Sequence, residues 1–125
     1  MPSEKKFGGL VIEINPTVEL ICNAAFEKKA ERIVVMRLKD KTSLCDYFIV
    51  MSASSTVRVK TIADFIEESL DAGGHRLRHK EGYREARWVL LDFGDVIVHV
   101  FHDEARKYYS IENLWGDAPS RVFVK

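Results

Sequence analysis

A mixed β-sheet flanked by helices is the fold class that the sequence predicts, and three observations predict it. Two runs rich in β-branched and aromatic residues, Arg32 to Leu38 (RIVVMRL) and Asp46 to Met51 (DYFIVM), are apolar at nearly every position, as strands covered on both faces are. Two stretches, one after Pro16 and one after Thr56, repeat apolar residues at helical spacing. Arg87 to Phe101 (RWVLLDFGDVIVHVF) alternates on either side of Gly94-Asp95, which is the pattern of a hairpin. A strand–helix–strand order after residue 46 requires a crossover, right-handed by the general rule, while the hairpin adds antiparallel pairs.

The elements follow in order. Residues 1 to 14 read as an N-terminal extension, in which Leu10 to Ile14 can add an edge strand. Asn15-Pro16 opens the first helix, Asn as cap and Pro at the first helical position. Val18, Ile21, Cys22 and Ala25 form its stripe, which runs out near Lys29. After the first strand, Lys39-Asp40-Lys41 turns the chain into the second. Ser54, Ser55 and Thr56 supply caps for a helix whose stripe is Val59, Ile62, Ala63, Ile66 and Leu70, and Gly73-Gly74 ends it. Arg76 to Lys80 is a short strand or an extended link. Beyond the hairpin, Asp103 and Ser110 are candidate caps of one or two short helical turns. Residues 15 to 119 thus read as one domain and 120 to 125 as a tail.

Composition narrows the function classes. Nineteen basic side chains balance nineteen acidic ones, so the long-range field of a general nucleic-acid binder is missing and any RNA contact has to be local. No apolar run approaches the ~20 residues needed to span a bilayer. The start MPSEKKFGGLVIEI lacks the hydrophobic region and cleavage site of a signal peptide. Cys22 and Cys45, without CxxC spacing, suit buried thiols in a reducing cytoplasm.

Counting outward from Gly94-Asp95 assigns the hairpin's faces. Phe93 opposes Val96, Leu91 opposes Val98 and Val89 opposes Val100, an apolar set that belongs in the core. The other face pairs Trp88 with Phe101, Leu90 with His99 and Asp92 with Ile97. Two readings fit it: a cover supplied by a C-terminal helix, or a partly exposed aromatic patch of the kind that anchors protein partners. The further aromatic and apolar residues Tyr108, Tyr109, Leu114 and Trp115 favour the patch.

Familiar catalytic patterns are missing. His75 and His79 fall in an extended region, His99 and His102 point to opposite sides of a strand end, and no cysteine completes a zinc set, so neither metal nor cofactor is expected. There is no GxSxG, P-loop or dinucleotide fingerprint. Asp95 reads as a turn residue. The basic run His75 to Lys80 reads as a solvated edge that discourages strand pairing, with a minor contact to RNA as the alternative.

Several motifs taken together are specific. Asp46-Tyr-Phe-Ile-Val50, Glu81-Gly82, Trp88-Val-Leu-Leu-Asp92-x-Gly94-Asp95, Val98-His-Val-Phe101, Arg106-Lys-Tyr-Tyr109 and Leu114-Trp-Gly-Asp-Ala118 occur in the order of the Iojap or ribosomal silencing factor family, which the chain resembles over roughly residues 17 to 119. The resemblance implies a fold similar to the nucleotidyltransferase core without its Gly-Ser turn and paired acidic residues. It implies a non-enzymatic cytoplasmic repressor of translation that binds ribosomal protein fourteen of the large subunit, blocks joining of the small subunit and can form homodimers when free. The alternative is a residual nucleotidyltransferase-like or nucleotide-binding enzyme. Carried onto this sequence, the partner-binding residues are Trp88, Leu90, Asp92, His99, Phe101, Arg106 and Tyr109. One departure is Ala53, where the family usually has glycine, so the turn into the second helix is expected to differ.

Overall fold

The alternation around Gly94-Asp95 becomes a hairpin in the register expected from counting. In the computed structural model, which describes the backbone of residues 3–7 and 10–14 and the whole of residues 16–124, Trp88 pairs with Phe101, Leu90 with His99 and Asp92 with Ile97. The Phe93 N–H donates to the Val96 carbonyl at 3.0 Å to close the turn, and Gly94 takes a φ of 93° that few other residues tolerate.

The strands are β1 (Ser3–Phe7), β2 (Leu10–Ile14), β3 (Glu31–Arg37), β4 (Tyr47–Ala53), β5 (His79–Glu81), β6 (Trp88–Asp92), β7 (Val96–His102) and β8 (Ser120–Val122). The helices are α1 (Pro16–Glu27), α2 (Thr56–Ala72) and α3 (Asp103–Tyr109), followed by a 3₁₀ turn, Ile111–Trp115. Six strands form one sheet in the order β5-β6-β7-β4-β3-β8. Only β4 and β7 run parallel; every other neighbouring pair in it is antiparallel. The apolar runs β3 and β4 are interior strands, as their composition requires.

Both α1 and α2 cover one face. Their stripes, Val18, Ile21, Cys22 and Ala25 on α1 and Val59, Ile62, Ala63, Ile66 and Leu70 on α2, are buried against Ile49, Met51, Val89, Leu91, Val98 and Val100. Each such Val, Leu or Ile side chain contributes roughly 1.5–3 kcal/mol on leaving water. The Ser55 side chain caps α2 by accepting from the Arg58 N–H at 3.2 Å. Both cysteines are free and buried, and burial pushes the Cys45 thiol up to about 11 and the Cys22 thiol further still, so both stay protonated.

The structure departs from the sequence reading at its ends. The segment Leu10–Ile14 is a strand, but it pairs with Ser3–Phe7 in a separate two-stranded sheet and does not extend the main one. The Asn15 cap lies outside the described residues. Ser120–Val122, expected within a tail, pairs antiparallel with β3 as an edge strand; it is too short to signal itself by alternation. The cap of α3 is His102, whose Nδ1 accepts from the Glu104 N–H at 3.2 Å, while Asp103 is the first helical residue, where a carboxylate favours the helix dipole. Ser110 sits at a left-handed φ of 46° and makes no side-chain cap to the 3₁₀ turn. Ala53 ends β4 buried and is not among the residues of positive φ, so β4 enters α2 without a left-handed residue there.

One glycine positions the start of β6. Gly82 adopts a φ of 77°, and a Cβ on it would stand 2.0 Å from the Trp88 carbonyl oxygen. Gly82→Ala is expected to destabilise the fold by ~2 kcal/mol or more, because backbone has to move in addition to the left-handed penalty. Gly74→Ala, where φ is 83° but the space is open, should cost only about 1 kcal/mol. Denaturant unfolding of both variants checks the difference; equal losses would show that the Gly82–Trp88 contact yields easily.

Candidate protein-binding face

Strand register places six residues of the hairpin on the face away from α1 and α2, and continues that face onto both neighbours. Phe48, Val50 and Ser52 of β4 align with Ile97, His99 and Phe101, and on the outer side Glu81 and His79 of β5 align with Leu90 and Asp92. The two halves of this face have different fates. Over β3, β4 and Phe101 lie Ala105 of α3, Ile111 and Trp115 of the 3₁₀ turn, and Ala118, which close a second small core with Val34, Met36, Leu38 and Val50. Towards β5 the cover thins: Trp88, Leu90 and Asp92 of β6 and Ile97 of β7 are half-buried, and His79 and Glu81 of β5 are exposed. A C-terminal cover thus lies over one half of the face, and the other half is partly exposed.

Trp88 stands at the boundary. Its ring stacks on Phe101 at 5.0 Å between centroids and meets Tyr109 at 5.0 Å. Its indole N–H donates to His99 Nδ1 at 3.0 Å. That bond assigns the His99 proton to Nε2, which is buried without a partner. The imidazole also meets the Phe48 ring edge-to-face at 4.6 Å. Burial pulls its pKa down to about 4, so it is neutral at pH 7 and able to accept from the indole.

The seven residues expected to touch a partner thus divide. Trp88, Leu90 and Asp92 lie together on the open half, and Tyr109 is 54% exposed beside them. Phe101 is fully buried and His99 is 2% exposed, so these two support Trp88 from beneath and do not reach the surface. Asp92 also accepts from the Gly94 N–H at 2.7 Å and so fixes the hairpin turn. Arg106, 8% exposed, is an internal clamp: Nε and Nη2 grip both oxygens of Glu112 at 3.0 and 3.1 Å, and Nη1 donates to Ser52 Oγ at 2.9 Å and the Glu31 carbonyl at 3.3 Å. It holds α3, and hence Tyr109, against the sheet. A helical residue's inward or outward aim depends on how the helix docks, which local sequence does not specify.

Sequence reasoning missed Phe48, which packs against His99 beneath the cover, and His79 and Glu81, the outer members of the open half. Extending the register count to β5 would have found the last two, but a three-residue strand carries too little pattern to pair from sequence. Among the described residues no group of three or more His, Cys, Asp or Glu is placed to hold a metal ion.

The depressed His99 pKa predicts a pH dependence. Below about 6.5 the unfolded chain takes up a proton that the folded chain refuses until about pH 4, so the contribution is fully present above pH 6.5 and is lost as pH falls toward 4. The loss is on the order of 3 kcal/mol. Denaturant unfolding of the wild type and of His99→Gln between pH 4 and 7 should show the wild type losing more stability; parallel curves would contradict a buried neutral imidazole.

Comparison with known proteins adds identity to this geometry. The sequence profile of the family described as "Ribosomal silencing factor during starvation" matches residues 11–124, which includes β8. The "Ribosomal silencing factor RsfS" of Halalkalibacterium halodurans is 42% identical over 103 residues, covering 82% of this chain and 88% of that protein. That of Bacillus subtilis is 41% identical over 102 residues, covering 82% and 86%. A crystal structure of a Chromobacterium violaceum protein superposes with a TM-score of 0.81 at 35% identity, covering 84% of this chain and 88% of that one. With nearly the whole described chain matched by profile, sequence and fold, the protein belongs to the ribosomal silencing factor family.

Proposed function

We propose that this chain represses translation by binding the large ribosomal subunit through its ribosomal protein fourteen, so that the small subunit cannot join. The observation that carries this reading is the half-open sheet face in a member of that family: Trp88, Leu90, Asp92 and Tyr109 are accessible, adjacent, and held by a buried layer of His99, Phe101 and Arg106. Rigid aromatic anchors over a packed support lose little side-chain freedom on docking and are enriched at energetic centres of interfaces. The action is exclusion: a 14.3 kDa domain seated on the intersubunit surface denies that surface to the small subunit, and no catalytic step, metal or nucleotide is involved. The same reading puts the protein in the cytoplasm with the ribosomes and includes self-association of the free chain.

Sedimentation tests the binding. The wild type should pellet with purified large subunits and not with small ones; retention on both or on neither would reject the reading. Trp88→Ala should weaken binding roughly thirtyfold, since truncating a central aromatic costs ~2 kcal/mol or more and each 1.4 kcal/mol is about a decade. Phe101→Ala should instead lose ~3–5 kcal/mol of fold stability, because its ring is wholly enclosed. Melting curves beside the affinities separate contact from support.

Light scattering during subunit mixing tests the mechanism. The protein should slow formation of whole ribosomes, leave preassembled ones intact, and be relieved by excess small subunits. Inhibition that small subunits cannot relieve, or that requires a nucleotide, would overturn steric exclusion.

A further inference from the structure

The basic residues of the chain differ in how far the fold already uses them. In the run His75 to Lys80, Lys80 pairs with Glu67 at 2.9 Å, His79 stands 3.0 Å from Glu81, and the Arg78 guanidinium lies over Gly94. A different set has no carboxylate partner. Lys28, Lys29 and Arg58 line a groove of about 290 Å³ between the end of α1 and the first turns of α2, together with Thr61 and Glu27. Among the described residues none of these three cations forms an ion pair. Arg58 donates to the Lys28 carbonyl at 3.4 Å and Lys28 Nζ sits 4.6 Å from the centre of the Phe65 ring, contacts that shape the groove without neutralising it. Glu27 offsets one of the three charges.

The groove's place in the fold gives it meaning. Register runs in one row from Glu31 through Ser52 and Phe101 to Trp88, so β3 enters the sheet at the same end at which the aromatic cluster stands. Three strand spacings separate β3 from β6, roughly 14 Å along the sheet, with the groove on its α1–α2 side and the aromatic cluster on the other. The lysines lie in the turn just before β3, and that turn holds Lys29 and, just beyond it, Arg32 at left-handed φ of 62° and 43°. Non-glycine residues accept that conformation at a cost of ~1 kcal/mol or more. A neutral chain has little long-range attraction for a polyanion, so recognition of one has to come from a local concentration of unpaired cations such as this.

We propose that the Lys28–Lys29–Arg58 groove grips backbone phosphates of RNA next to the protein that the aromatic face docks on. The proposal rests on the ribosome-binding reading. Two lysines, an arginine and a threonine hydroxyl are the donors that phosphate oxygens take, and no apolar side chain lines the groove, so an amphipathic protein segment is the poorer fit. The two surfaces divide the work: the aromatic face selects the site, and the groove adds a salt-sensitive, sequence-independent hold.

The test combines Lys29→Ala with Arg58→Ala, both at exposed positions, and measures affinity for purified large subunits across a salt series. Removing two phosphate-neutralising cations should reduce the slope of log affinity against log salt by about 1.4–1.8, at ~0.7–0.9 per phosphate neutralised. Affinity at moderate salt should fall about tenfold, with an unchanged melting temperature and unchanged binding to isolated large-subunit protein fourteen. Lys29→Arg with Arg58→Lys should restore both slope and affinity. An unaltered slope would overturn the proposal, and so would an equal loss on the isolated protein, which would make the groove a protein contact. A wild type that does not pellet with large subunits removes the ribosome reading and this proposal with it, whereas a binding wild type and an equally binding variant remove the groove alone.

Discussion

The parallel pairing of β4 with β7 is the constraint from which the rest of the architecture follows. Parallel neighbours cannot be joined by a tight turn, so the chain leaves β4 through α2 and returns through β5 and β6 before it can lay down β7. Both strands are buried along nearly their whole length, which demands cover on both faces. The two helices that leave their ends satisfy this on opposite sides: α2 packs its stripe into the larger core, and α3 presses Ala105 into the smaller one. The sheet is thereby divided into a face covered by two long helices and one that α3 is too short to cover.

That shortness creates the candidate binding face, and a buried charge stabilises it. Seven residues of helix cannot bury much apolar area, so the attachment of α3 leans on Arg106. A guanidinium out of water is costly unless its donors are matched, and Glu112, Ser52 and the Glu31 carbonyl match them. The clamp therefore ties β3, β4, α3 and the 3₁₀ turn to one another. Its consequence for binding is indirect: it sets where Tyr109 meets Trp88. The Trp88–His99 hydrogen bond acts in the same way from below, with the neutral imidazole accepting from the indole and restricting the ring.

Two surfaces of different chemistry stand at one end of the sheet. The aromatic cluster offers shape and apolar area on a prearranged support, whereas unpaired cations at the α1–α2 end offer charge without shape. Balanced overall charge leaves the chain little long-range attraction for a polyanion, so the charge of the second is felt only at close range.

Most of the architecture was legible in the residues. Periodicity named the stripe of α2 residue by residue, and the Gly94-Asp95 turn dictated the register of β6 and β7, because a side-chain period of two leaves no freedom once the turn is set. The same count placed Trp88, Leu90 and Asp92 on one face beside His99 and Phe101. It could not say how deep each would lie. Depth was decided by the docking of α3 and the 3₁₀ turn, long-range packing that buried Phe101, His99 and Arg106 and left Trp88, Leu90, Asp92 and Tyr109 within reach of a partner. Three-residue strands such as β5 and β8 were likewise settled only by the neighbours they pair with. Local sequence determines which way a side chain points from its own backbone; whether anything lies in that direction is determined by segments far away in the chain.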